Sequence, residues 1–184
     1  MKKICSSISV ALFLSSIWLL PAHSSAESSI EPCSLYTKAD AEALFAENVS
    51  DGLSRKTTAP AGTVCRYTFT RDGNAYKLEL RVADDAALKG EGIFNSAADI
   101  MTRQKKARQN NTYAAKRFQE ISSLGDDAFW DGTSLWLRKE NTLVVISVNS
   151  PLQGSFPNSE AMENARARQH MGLSLKVAET ILGR

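Results

Sequence analysis

Asp126, Asp127 and Asp131 are the acids of this chain that cluster near aromatics, beside Phe129, Trp130 and Trp136. Two carboxylates roughly 5–10 Å apart across a groove can split a glycosidic bond, one as the acid and the other as base or nucleophile. Carboxylate-based hydrolysis is therefore the enzymatic chemistry that these residues offer. Turn capping is the simpler use for them. Calcium needs oxygens converging from one loop, with Asp-x-Asp-x-Asp-Gly spacing, and two adjacent aspartates lack it.

Nucleophilic and metal chemistry have less to work with. Past residue 26 there is one histidine, His170, near Arg166 and Arg168, on what the spacing predicts is the polar side of a helix. A triad needs a histidine next to a serine or cysteine and an orienting acid. Gly154-Ser155 lies in a proline-bounded loop, not in a Gly-x-Ser-x-Gly elbow. With one histidine and two cysteines expected to be oxidised, zinc has no ligand set. No catalytic residue, no metal and no cofactor is predicted, and the chain reads as non-enzymatic.

Recognition is the other chemistry on offer. Trp130, Trp136 and Arg138 fall in or beside two predicted strands, Ala128–Trp130 and Ser134–Lys139. Leu135 and Leu137 alternate with Trp136 and Arg138. If the leucines face the core, Trp136 and Arg138 face outward, unless a helix or loop lies over them. Tryptophan and arginine are the residues that dominate interface hot spots. The basic run Arg103, Lys105, Lys106 and Arg108 reads as a solvated helix face, or as a contact for an anionic group.

The elements that must position these residues begin after a leader. Met1–Ala26 has the pattern of a cleaved secretory signal: Lys2 and Lys3, an apolar run over Ile8–Leu20, Pro21, then small residues before Glu27. The run of 13 residues falls short of the ~18 a membrane span needs. Cys5 leaves with it. Cys33 and Cys65 remain in an exported chain, and a disulfide between them is the default reading. The formal charge of +2 resides in Lys2 and Lys3, leaving 20 basic against 20 acidic residues. That balance gives no electrostatic case for nucleic acid.

Residues 27–184 form one domain by length. Thr37 and Asp40 open a short helix, and Asp51–Gly62 reads as a loop. Thr63–Thr70 and Tyr76–Val82 alternate around Asp72-Gly73, a strong hairpin signal. Cys65, Tyr67 and Phe69 share one face of it. A helix begins at Ser96 or Asp99. A second hairpin joins Ser134–Lys139 to Leu143–Asn149. Leu143-Val144-Val145-Ile146 is apolar on both faces, so its strand should be central or covered on both sides. Ser159 caps a long final helix with Met162, Ala165, Met171, Leu175 and Ala178 in its stripe. The order helix-hairpin-helix-hairpin-helix predicts an α+β fold, an antiparallel sheet of two hairpins with helices over one face.

Pro32-Cys33-Ser34-Leu35, Cys65-Arg66-Tyr67 and Leu124-Gly125-Asp126-Asp127-Ala128 together resemble the motifs of a broad group of bacterial exported domains of unknown function, often lipoproteins. That group has a Pro-Cys-x-Leu helix, a Cys-x-Tyr strand and a Gly-Asp-x-Ala turn. Here Ser123 stands where glycine is usual, and no lipobox precedes Cys33. The resemblance implies the same Cys33–Cys65 pairing and the same α+β layout; the bacterial periplasmic or secreted location is expected from the double lysine and short apolar run of the leader. It brings no catalytic residues.

These readings lead to one expectation. The protein is an exported, non-enzymatic binding module of the bacterial envelope, with Trp130, Trp136 and Arg138 as its contact surface. Its partner is an envelope protein or an apolar or anionic envelope ligand, not nucleic acid, and no transmembrane segment follows the signal. The alternatives are a carrier of a lipid or other apolar ligand, and a carboxylate-based hydrolase.

Overall fold

The structure is a computed structural model that describes residues 30–183. The expected signal Met1–Ala26, with Cys5, lies outside the described residues.

Helix α1 (Pro32–Leu35) starts on a proline at a position where no N–H is needed, with the Glu31 carboxylate accepting from Cys33 N. Helix α2 (Lys38–Phe45) carries the expected capping box, in which Thr37 accepts from Asp40 N and Asp40 accepts from Thr37 N. Strands β1 (Leu53–Thr58), β2 (Ala61–Arg71) and β3 (Asn74–Asp84) then run as a meander. Asp72 and Gly73 both take positive φ, at 52° and 72°. That is the left-handed pair a two-residue hairpin requires to match the strand twist.

Helices α3 (Asp85–Gly90), α4 (Ala97–Gln109) and α5 (Thr112–Ala115) follow, capped by Asp84, Ser96 and Asn111. A second meander holds β4 (Gln119–Glu120), β5 (Asp127–Trp130), β6 (Ser134–Lys139) and β7 (Thr142–Asn149). Helix α6 (Ser159–Leu182) closes the fold, with Asn158 rather than Ser159 as its cap.

Among the described residues all seven strands pair antiparallel in one sheet, in the order β1-β2-β3-β7-β6-β5-β4. The strand predicted to be central is central: β7 lies between β3 and β6, and Leu143, Val144 and Ile146 are buried. The fold is α+β, as read from the sequence, but the sheet is wider than two hairpins. Its β1 lies in the stretch expected to be a loop. The segment LSRKTT is almost wholly exposed, so it has no alternation to read. Its order comes from the ladder to β2 at the edge of the sheet.

The helices also do not keep to one face. On the first face α1, α2 and α6 cover the main core, which includes Tyr67, Leu78, Leu80, Ile146, Leu137, Trp130 and Val177. On the second face Ala97, Ile100 and Met101 of α4, with Leu88 of α3, pack on Phe129, Trp136, Leu143 and Ala83 in a smaller core. The apolar stripe of α4 is only three residues long within a polar, basic helix. Read alone, it does not announce which face of the sheet it closes.

The Cys33–Cys65 disulfide is present and ties α1 to β2 on the first face. Tyr67 reinforces the tie by donating its hydroxyl to Tyr36 O at 2.7 Å. Among the described residues no helix is long and apolar enough to cross a membrane.

Candidate functional site

Side chains alternate between the faces of a strand, so the register dictates which predicted site residues can meet. One row across the sheet runs Ser54–Cys65–Leu80–Ile146–Leu135–Trp130 and faces the main core. The next runs Arg55–Val64–Arg81–Val145–Trp136–Phe129 on the second face. Trp130 and Trp136 therefore lie on opposite sides of the sheet.

Trp130 is 3% exposed beside Leu135 in the main core. Trp136 points away from Leu135 and Leu137, as the alternation predicts, but it is only 7% exposed. Helix α4 covers it, and its ring stacks on Phe129 with centroids 5.8 Å apart. Arg138 shares that second face, where it donates to Asp126 Oδ2 at 3.3 Å and to Glu140 O at 3.1 Å. The three residues form no common exposed patch.

The three aspartates are each engaged. Asp126 accepts from Glu140 N and Arg138, and the turn before it needs Gly125, at φ 61°. A side chain there would meet Arg138 O at 2.6 Å. Asp127 pairs with Lys105. Asp131 accepts from Thr133 N, Ser134 N, Trp136 Nε1 and Arg108. The basic run is thus largely turned onto the protein itself: Lys105 and Arg108 clamp α4 to β5 and its following turn, and Arg103 pairs with Asp99.

His170 is half-buried rather than on a polar face. Its Nε2 accepts from Ser150 N at 3.2 Å. Burial holds its pKa below the ordinary value, and the nearby Arg166 adds to the effect. Among the described residues no group of three His, Cys, Asp or Glu side chains is placed to hold a metal.

Two of the concavities among the described residues could take a ligand. The larger is a cleft of about 570 Å³ at the end of the sheet, between the β1–β2 ribbon, the end of β3 and helix α3. Its walls include Ile30, Val82, Ala83, Ala86, Ala87 and Ile93, and Ile93 is 54% exposed. Glu91 ties the helix end to the ribbon, its Oε2 accepting from Ala61 N at 2.9 Å. Among the described residues the buried Oε1 has no hydrogen-bond partner. Asp84 lines the cleft too, but its side chain is spent on capping α3 through Ala87 N.

The smaller concavity, about 270 Å³, is a groove on the second face beside Trp136. It is lined by Arg55, Arg81, Arg108, Glu79, Asp131 and the hydroxyls of Ser134 and Ser147. Sequence reasoning missed both. The cleft is built largely of small residues spread over three elements. The groove needs the register of five strands, although alternation along β3 already put Glu79 and Arg81 on one face.

No family model, no curated protein and no solved structure matches this chain.

Proposed function

We propose that this chain is an exported, non-enzymatic binding module of the bacterial envelope, and that its ligand is a small molecule with an apolar body. The cleft between α3 and the β1–β2 ribbon carries this reading. Its volume of about 570 Å³ lies within the ~300–1,000 Å³ usual for ligand pockets, which are mostly apolar with a few placed polar groups. Ile30, Val82, Ala87 and Ile93 supply the apolar wall, and Glu91 the polar end. The disulfide and the resemblance to exported domains support the envelope location. Of the expectations drawn from the sequence, the carrier of an apolar ligand fits this cleft better than a partner surface built on Trp130, Trp136 and Arg138.

A cleft-filling variant tests this. Gly90 lines the cleft, and a Cβ placed there meets no atom within 4 Å. Gly90→Leu should add bulk at the cleft from a position whose Cβ meets open space. Fluorescence titration with N-phenyl-1-naphthylamine, a neutral apolar probe, should show binding that weakens about tenfold or more in this variant, equivalent to ~1.4 kcal/mol. Equal probe binding by both proteins, or none by either, would sink the assignment. Native mass spectrometry of protein taken from its own envelope would identify the retained molecule.

A further inference from the structure

The groove on the second face holds two guanidinium groups that have no carboxylate partner among the described residues. Arg55, Val64, Arg81, Val145 and Trp136 stand in one row across five strands, and Arg66, Glu79, Ser147 and Ser134 in the next. Helix α4 covers the Phe129–Trp136 end of these rows and leaves the rest open, with Arg108 on one rim and Pro60 on the other.

The two acids in the groove are already neutralised. Glu79 is held by Arg66 and Lys77. Asp131 is held by Arg108, the Trp136 indole and two backbone N–H groups. Among the described residues Arg81 donates only to the carbonyls of Ala59 and Pro60, at 3.3 and 3.5 Å. No ion pair or hydrogen bond engages the Arg55 side chain among the described residues. Ser134 Oγ and Ser147 Oγ are 2.7 Å apart, so one hydroxyl proton is spent between them and the other is left to donate outward.

We propose that this groove binds a phosphate group, with Arg55 and Arg81 pairing its oxygens, the Ser134–Ser147 hydroxyl pair donating to it, and Val145 and the rim of Trp136 as its apolar floor. Guanidinium forks match phosphate oxygens in a bidentate geometry. Placing them on paired strands fixes their backbone positions, and the Ala59 and Pro60 carbonyls hold the Arg81 guanidinium, which reduces part of the ordering cost of binding. Burial pushes the Arg81 guanidinium down from its ordinary value and Arg55 adds to this, against Glu79 and Glu91. The negative charge of an anion in the groove opposes both effects. The proposal is independent of the apolar cleft, which opens elsewhere.

A phosphate group can arrive on a small molecule or on a lipid head group, and two arms separate the sources. The first is calorimetric titration of the intact protein with inorganic phosphate and with glycerol phosphate. The second is flotation with vesicles of phosphatidylglycerol against vesicles of phosphatidylcholine at matched, moderate salt. The variants are Arg55→Gln and the double variant Arg55→Gln/Arg81→Gln. Arg55 is exposed, so the single variant should keep its fold even if loss of the Arg81 contacts loosens the β1–β2 turn. Arg103→Gln, outside the groove, is the control.

Millimolar or tighter binding of a phosphate probe, weakened several-fold by Arg55→Gln and about tenfold or more by the double variant, supports the proposal and points to a small molecule. Flotation with phosphatidylglycerol that Arg55→Gln abolishes and Arg103→Gln preserves supports it with a lipid source. Absence of binding in both arms, or binding that the groove variants leave unchanged, overturns it.

Discussion

Trp136 donates its indole N–H to Asp131 Oδ2 at 2.9 Å, and the same carboxylate receives Thr133 N, Ser134 N and Arg108. One carboxylate thus fixes the β5–β6 turn, the central ring of the smaller core and the C-terminal half of α4. With a side chain only 5% exposed, Asp131 has little water to replace any partner. Asp131→Ala would strand several donors at once. Leaving buried partners unsatisfied costs roughly 1–3 kcal/mol each, and more for a charged group. Urea unfolding should show a loss of about 3 kcal/mol or more, with a red-shifted tryptophan emission. An unchanged midpoint would mean that the carboxylate is replaceable by solvent.

The disulfide closes a separation of 32 residues. In the chain-entropy model, opening a loop of that size costs roughly 3–4 kcal/mol. Cys33→Ser/Cys65→Ser should unfold earlier in denaturant by that amount. Gly52 sits against the bond: an added Cβ would lie 2.8 Å from Cys33 Sγ and 3.1 Å from Cys65 Sγ. Gly52→Ala should cost about 1–3 kcal/mol through overpacking. In the double serine variant the Gly52→Ala penalty should shrink, because smaller oxygens replace the sulfurs; a double-mutant cycle reads that coupling.

Ser174 is fully buried in α6, and its hydroxyl has no hydrogen-bond partner among the described residues. Ser174→Ala removes an orphaned polar group and installs the better helix former. Thermal unfolding should rise, corresponding to a gain of about 0.5–2 kcal/mol. A drop would indicate that the hydroxyl is satisfied in solution.

His170 carries a sign that pH can test. Its folded pKa lies below the ordinary 6.5 because of burial and Arg166, and the Ser150 N–H needs a lone pair on Nε2. The unfolded chain therefore binds the proton more readily. This contribution to stability is complete above the ordinary histidine value and is lost as pH falls below 6.5. The midpoint of urea unfolding should decline as pH is lowered from neutral, and less steeply in His170→Gln. Parallel curves for the two proteins would remove His170 as the cause.

Much of this fold was legible because it rests on local chemistry. The Thr37–Asp40 box, the Asp72-Gly73 turn, the alternation of Cys65, Tyr67 and Phe69, and the two-sided apolarity of Leu143–Ile146 each depend on residues within a few positions of one another. So did the direction of Trp136, away from Leu135 and Leu137. The sequence by itself also paired the two cysteines, since only Cys33 and Cys65 remain after the expected leader.

Tertiary structure alone decided what lies over each face. Strand β1 has no pattern of its own and exists through its ladder to β2. Trp136 is buried because α4, nearly forty residues earlier in the chain at Ala97, folds back onto it with three apolar side chains and two ion pairs. Arg55, Arg81 and Trp136 share a row only because the registers of β1, β2, β3, β7 and β6 bring them level. Alternation along one strand says which side a residue takes, while burial and neighbours depend on partners that are distant in sequence, and those follow from how the strands and helices pack together.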